Sequence, residues 1–405
     1  MNIEKREEKM GTLFKSIPSK NMNDIGLYIH IPFCKRKCYY CDFISYCNKD
    51  SLIDEYIKYL NYEITDVGDG IKKALGKKYS EISTIYIGGG TPSYIDSKHI
   101  ISIIDSIKNI TKLDTQEITI EINPGTATRQ KIEDYKNAGI NRLSIGMQET
   151  NDMLLNQIGR IHSYKEFENT YKLAREVGFK NINVDIMIGL PNQTIENVER
   201  TIKKVIAFKP EHISVYSLIV EEDTPIEKMI MNKTLTLPDE ETERKMYWTV
   251  KEELEKNGYK HYEISNYAIP GFESKHNSNC WNQKEYFGFG VAAHSYTDGA
   301  RYSNINSIEE YIENYKQGKQ ENNFIFHEKQ DKFSQMKEYV MLGLRKIDGV
   351  EIQKFKEKFG IELYKIFKQE IEKLEKQELI LCDNEKIKLS RKGIDLANIV
   401  WQEFV

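Results

Sequence analysis

LYIHIPFCKRKCYYCDF, residues 27–43, joins a short apolar run to a loop that carries three cysteines within eight residues, Cys34, Cys38 and Cys41. The run is β-branched and aromatic, is too short for a helix and ends at Pro32, so it reads as a strand followed by a turn. Working outward, the same unit recurs. Strand-like runs fall at 27–31, 84–87, 117–122, 142–147, 183–188 and 212–217, and amphipathic helical patterns at 51–74, 97–109, 128–138, 164–177 and 194–208. Strand and helix alternation predicts an α/β fold with parallel strands, as an open doubly wound sheet or an incomplete barrel. In either form ligands gather at the carboxyl ends of the strands. The cysteine loop, Gly88-Gly89-Gly90-Thr91, Glu121 with Asn123, Gln148 and Asp185 all lie within, at or just after a strand.

The remainder divides by composition. Residues 1–24 are polar and mixed in charge, an expected weakly ordered extension whose removal up to residue 21 should cost little. Residues 25–238 hold the six units and 239–328 form an α+β region. The expected C-terminal module, 329–405, has Lys- and Glu-rich helices and ends in a strand, turn and strand of winged-helix type. A net charge of −4 over 405 residues, with 30% charged and 40% hydrophobic residues, removes most of the case for nonspecific nucleic-acid binding or a polybasic membrane anchor. No apolar run reaches the ~20 residues of a membrane span, and the amino terminus lacks the apolar core of a signal peptide. The expected location is the cytoplasm. Six cysteines are too sparse for a disulfide framework, so the cluster of three points to a metal centre.

Three thiolates leave two readings open. A structural zinc site needs a fourth ligand, for which His30, Asp42 or Cys47 stand near. A four-iron four-sulfur cluster held by three cysteines keeps one iron open for another ligand. The Cys-x3-Cys-x2-Cys loop after a strand resembles that of the radical S-adenosylmethionine superfamily. LYIHIPFC, CDF, IYIGGGTPS, EITIEINPGT, NRLSIGMQ, GRIH and NINVDIMIGLP, in this order, resemble the subgroup containing oxygen-independent coproporphyrinogen III oxidase and the haem chaperone HemW.

The resemblance implies a six-stranded partial (β/α) barrel carrying the cluster on Cys34, Cys38 and Cys41, with S-adenosylmethionine bound at its open iron. It implies that Tyr28 and Tyr40 flank the cluster and cofactor, and that Gly89, Gly90 and Thr91 meet the cofactor's amino group. It places Glu121, Gln148, Arg160 and Asp185 at the polar positions that hold the cofactor. Within the subgroup, the oxidase has a further cysteine two residues past the third, where this chain has Phe43, as the chaperone does. The segment HNSNCW, residues 276–281, matches the chaperone's HNxxYW motif with Cys280 in place of its tyrosine. Read as a polar loop, it offers His276 as a haem-iron ligand and Trp281 as a porphyrin stacking face, with Cys280 and His294 as further candidate ligands. The implied function is therefore a haem chaperone that passes haem to an acceptor protein and draws on an electron donor for its cluster. The oxidase and a structural zinc protein are the alternatives. Oxidase activity on coproporphyrinogen III is not expected.

Overall fold

The computed structural model describes residues 25–75, 82–111, 113 and 117–405. The extension expected over 1–24 lies outside the described residues. Six parallel strands, β1 (Ile25–Ile31), β2 (Ile82–Gly89), β3 (Glu117–Ile122), β4 (Arg142–Gln148), β5 (Ile182–Ile188) and β6 (His212–Ser217), lie side by side in chain order. Between them run helices α1 (Ile53–Leu75), α2 (Ser97–Lys108), α3 (Arg129–Ala138), α4 (Asp152–Gln157), α5 (Tyr164–Val177) and α6 (Ile195–Phe208). The strand and helix ranges read from the sequence hold to within about two residues.

The helix ends are written in local chemistry. Ser163 and Glu166 form a capping box on α5, Thr128 and Thr194 cap α3 and α6, and Gly139 and Gly178 take the left-handed conformation that closes α3 and α5.

β1 and β6 do not pair with each other, so the barrel stays partial. Past β6 come α7 (Pro225–Met231), α8 (Glu240–Lys256), β7 (Lys260–Glu263), β8 (Asn266–Ala268), α9 (Lys275–Trp281), β9 (Tyr286–Phe289), β10 (His294–Thr297), β11 (Ala300–Asn304), α10 (Ile308–Lys316) and β12 (Phe324–Lys329). β8 joins β6 antiparallel and β9 joins β1 in parallel, giving one sheet of twelve strands in the order β12-β11-β10-β9-β1-β2-β3-β4-β5-β6-β8-β7. Residues 239–328 thus extend the barrel sheet at both edges and share its core: Val250, Leu254, Tyr267, Phe287 and Tyr311 pack with Leu27, Ile85 and Ile120.

The C-terminal module has its own core around Phe355, Phe367, Leu374 and Val400. Its helices α11 (Lys332–Gly343), α12 (Ile352–Phe359), α13 (Leu363–Lys376), α14 (Arg391–Asp395) and α15 (Ala397–Gln402) surround a small sheet. That sheet is formed by β13 (Val350–Glu351), β14 (Ile380–Cys382) and β15 (Lys386–Leu389) in the order β13-β15-β14. Among the described residues no helix is long and apolar enough to cross a membrane.

One buried acid ties α1 to the sheet extension. Glu63 accepts hydrogen bonds from the Gly290 backbone N–H (2.9 Å), the Asn304 amide (2.7 Å) and the Tyr311 hydroxyl. Burial pushes its carboxyl up to about 7. Removing the acceptor strands three buried donors at about 1–3 kcal/mol each, so Glu63→Ala should lose roughly 3 kcal/mol or more of stability. Chemical denaturation measures this, and a variant as stable as the parent would show that the clasp does not hold the extension.

Candidate cofactor site at the strand ends

The carboxyl ends of the strands enclose a cavity of about 490 Å³. It is lined from the β1 loop at one side to Tyr216 on β6 at the other, which requires the sheet to curl into a partial barrel. Of the residues the sequence singled out for the cluster and its cofactor, Cys34, Cys38, Cys41, Tyr40, Gly89, Gly90, Thr91, Glu121, Gln148, Arg160 and Asp185 line it.

The cysteine loop is pinned from several sides. The Cys34 N–H donates to Tyr46 and the Tyr39 N–H donates to Ile158. His30 holds the loop from below, its Nε2 donating to the Ile44 carbonyl (2.9 Å) while Nδ1 accepts from the Tyr28 hydroxyl (3.0 Å). Burial pushes the His30 imidazole down to about 4, so it stays neutral. With both ring nitrogens engaged, it is a support of the loop and not a fourth ligand. The Gly89–Gly90 pair packs against this loop. Gly89 has φ +110°, and a Cβ on Gly90 would stand 2.9 Å from the Ile31 and Phe33 carbonyl oxygens, so both positions require glycine.

The donor set suits a polynuclear cluster. A cluster with one open iron needs only three protein thiolates, whereas a structural zinc site needs a fourth ligand, which His30, with both ring nitrogens engaged, does not supply. The three thiols instead share one cavity wall with polar groups directed at their sulfurs: Thr91 Oγ1 lies 3.4 Å from Cys34 Sγ, and Arg160 Nη1 donates to Cys38 Sγ at 3.6 Å. Burial pushes the Cys41 thiol up to about 11, with Cys38 and Cys34 adding to the rise. Ligation to iron reverses that preference.

Opposite the thiols the cavity is acidic. Glu121 accepts from the Tyr86 hydroxyl (2.8 Å) and from the Gly89 N–H (3.1 Å), while Asp185 accepts from the Asn183 amide (2.7 Å) and Ser144 (3.2 Å). Burial pushes Glu121 up to about 7, Asp185 adding to it, and burial also raises Asp185. The two half-buried carboxylates favour a positively charged ligand, and the ammonium and sulfonium of S-adenosylmethionine supply such charge. Arg160, which reaches Cys38 with one guanidinium nitrogen, donates with the other to Asn123 Oδ1 and the Gly146 carbonyl, both at 2.8 Å, and its Nε is buried without a partner.

Gln148 reaches the cavity through a break in strand register between Gly146 and Gln148, where it adopts φ +67°. A Cβ on Gly146 would stand 2.9 Å from Gln148 Nε2 and 3.1 Å from Arg160 Nη2. Gly146, Tyr86 and Ser144 are therefore parts of the site that the sequence reading missed. A glycine inside a strand was the available signal for the first.

Three expectations meet a different placement. Tyr28 does not line the cavity: it bonds His30 and stacks on Tyr86 (6.3 Å between ring centroids), one layer beneath. HNSNCW is not a polar loop but the helix α9, because Ser274 caps it and the Glu117 carboxylate accepts the Lys275 and His276 N–H groups (3.1 Å each). His276 is only 7% exposed, with Nδ1 bonded to Thr84 Oγ1 (2.9 Å), so its ring faces neither the cavity nor solvent. Trp281 has a face occupied by the Arg345 guanidinium (4.5 Å), which also lies over Trp401 (4.6 Å) and joins α9 to the C-terminal module. Burial pushes the Cys280 thiol up to about 11. His294 is exposed on β10 with its ring stacked on His327 (5.7 Å) and does not line the cavity.

Comparison with known proteins agrees with this architecture. Residues 28–205 match the radical SAM superfamily and residues 331–396 the HemN C-terminal domain. The chain is 37% identical over 382 residues to the haem chaperone HemW of Bacillus subtilis (strain 168), covering 93% of this chain and 98% of that protein. It is 36% identical over 379 residues to HemW of Lactococcus lactis subsp. lactis (strain IL1403), covering 93% and 96%. The solved structure of coproporphyrinogen III oxidase (HemN) from Escherichia coli, described as a radical SAM enzyme, matches with a TM-score of 0.82 at 21% identity. It covers 97% of this chain and 93% of that one, and it supports the fold alone.

Proposed function

The chain belongs to the HemW haem-chaperone family, and from that premise we propose that it binds haem at the open mouth of the cofactor cavity and passes it to an acceptor protein. Cys34, Cys38 and Cys41 hold the four-iron four-sulfur cluster, and Glu121, Asp185, Gln148 and Arg160 hold S-adenosylmethionine. When bound, the cluster and cofactor supply one-electron chemistry. The residues of the chain bind and orient: Gly89 and Tyr86 hold Glu121 in place, Arg160 links the Cys38 sulfur to Asn123 and the Gly146 carbonyl, and Gly146 leaves room for both Gln148 and Arg160. An electron donor for the cluster and a haem acceptor are the proposed protein partners, and the cytoplasm is the proposed setting.

The observation that carries this reading is Phe43. The residue at the oxidase's cysteine position lines the mouth of the cavity as an apolar side chain 63% exposed, with Ile219, 68% exposed, on the same lining. Arg36 and Lys37 line the same cavity. Apolar surface with cations beside it complements a flat macrocycle that bears carboxylates, while no thiol stands at position 43 for oxidase chemistry. After anaerobic reconstitution, haem titration should saturate and bound haem should move to an apo-haemoprotein, with no turnover of coproporphyrinogen III. Covering the exposed part of Phe43 is worth roughly 1–2 kcal/mol, so Phe43→Ala should weaken haem about 5- to 30-fold. Multiple turnovers of coproporphyrinogen III without haem affinity would overturn the reading and favour the oxidase.

A further inference from the structure

α9 lies at the opposite, amino-terminal end of the barrel strands from the cavity, yet its first ring is wired to the cavity floor. The His276 side chain enters between β1 and β2. There a Cβ on Gly26 would stand 3.3 Å from His276 Cε1, and Thr84 Oγ1 bonds His276 Nδ1 at 2.9 Å. In that position the imidazole packs on the ring of Tyr86, with centroids 5.3 Å apart and planes 30° apart. Tyr28 stacks on the same tyrosine at 6.3 Å. Held by both rings, Tyr86 directs its hydroxyl to Glu121 Oε1 at 2.8 Å, while the other carboxylate oxygen takes the Gly89 N–H.

The backbone makes the link short. Glu117 and Glu121 stand at the two ends of β3. Glu117 accepts the first two N–H groups of α9, and Glu121 stands in the cavity. Thr84 and Tyr86 are likewise two residues apart on β2, and Asn279 of α9 donates to Ser83 of that strand at 3.1 Å. α9 therefore grips the same two strands that carry the carboxylate and its tyrosine.

We propose that His276 is a positioning residue for the cofactor cavity, its ring holding Tyr86 and Tyr86 holding the carboxylate of Glu121. The inference rests on the cofactor reading above and assigns the histidine of HNSNCW to the inside of the barrel rather than to haem iron. Burial pushes the His276 imidazole down to about 4, so it acts by shape and as a neutral hydrogen-bond partner, not as a charge. The far end of α9 carries Trp281 and, through Arg345, contacts the C-terminal module.

Calorimetry of S-adenosylmethionine binding to the reconstituted full chain tests the proposal, with cluster content and melting temperature measured on each sample. His276→Leu and His276→Phe both fill the buried space and both leave Thr84 without its partner, so a cost in stability is shared and the flat face is the difference. His276→Phe should keep the parent's affinity, and His276→Leu should lose about 3- to 10-fold. His276→Asn, which keeps an acceptor for Thr84 and lacks the ring, should be as weak as Leu. Tyr86→Phe should weaken binding about 10-fold, and His276→Leu added to it should cost nothing more, since the ring acts only through the hydroxyl. The Soret band of bound haem should be the same in His276→Leu as in the parent.

Equal affinities for the Leu and Phe variants, or multiplying losses in the double variant, would overturn the positioning role. A Soret band lost in His276→Leu would replace it with iron ligation. Absence of cofactor binding in the parent itself would defeat the cofactor reading instead, so the two failures are distinct.

Discussion

Cys34→Ala, Cys38→Ala and Cys41→Ala should each abolish the iron–sulfur absorbance of the reconstituted protein, and Cys47→Ala should leave it intact. Three thiolates are the minimum that holds a four-iron cluster with one iron open, so losing any one leaves two protein ligands and no stable site. Cys47 is a free cysteine six residues beyond Cys41 and is not part of the cavity wall. Iron and sulfide analysis against protein concentration reads the outcome directly. Zinc at one per chain with no iron–sulfur absorbance would restore the zinc reading, and loss of the cluster in Cys47→Ala would show that the ligand set is wrong.

The second large effect is expected at Glu121. A charged hydrogen bond is worth about 1.5–3 kcal/mol, so Glu121→Ala should bind S-adenosylmethionine roughly 10- to 150-fold more weakly. The same residue sets a pH dependence. Its carboxyl is raised to about 7 by burial and by Asp185, above its unfolded value. In the cofactor-free protein this group therefore favours folding below its unfolded pKa, and that contribution is lost as pH rises through about 7. A cationic ligand prefers the carboxylate, so binding releases a proton, tightens as pH rises through 7 and weakens below it. Glu121→Gln should flatten this profile. Calorimetry in buffers of different ionisation enthalpy counts the proton. Affinity in Glu121→Ala equal to that of the parent, with the fold intact, would remove Glu121 from the site.

Much of the site was legible because its signals are local. Cysteine spacing, a glycine triplet after a strand and a strand-end acid are properties of short segments, and parallel strands deliver such segments to one end of a sheet. Tyr28 shows where this stops. Its position in β1 is correct, but whether it faces the cavity depends on what fills the space above it, and Tyr86 fills it. Tyr86 itself carried no signal, since an aromatic residue in a strand reads as core until an acid from the next strand meets its hydroxyl.

The sequence by itself determined the six strand–helix units, their order and the loop that carries three cysteines to the strand ends, because alternation of apolar residues, helix caps and turn glycines act over a few residues. It also separated this chain from the oxidase through Phe43. Only the tertiary structure decided that residues 239–328 extend the barrel sheet at both edges, since pairing such as that of Gly26 with Tyr286, 260 residues apart, depends on exposed edges that local patterns do not record. The same holds for HNSNCW. Its polar composition favours a loop in water, but a cap from Ser274, a carboxylate from Glu117 and a buried hydroxyl from Thr84 satisfy its polar groups. With those partners in place the segment becomes a helix whose one buried residue, the histidine, lies inside the barrel.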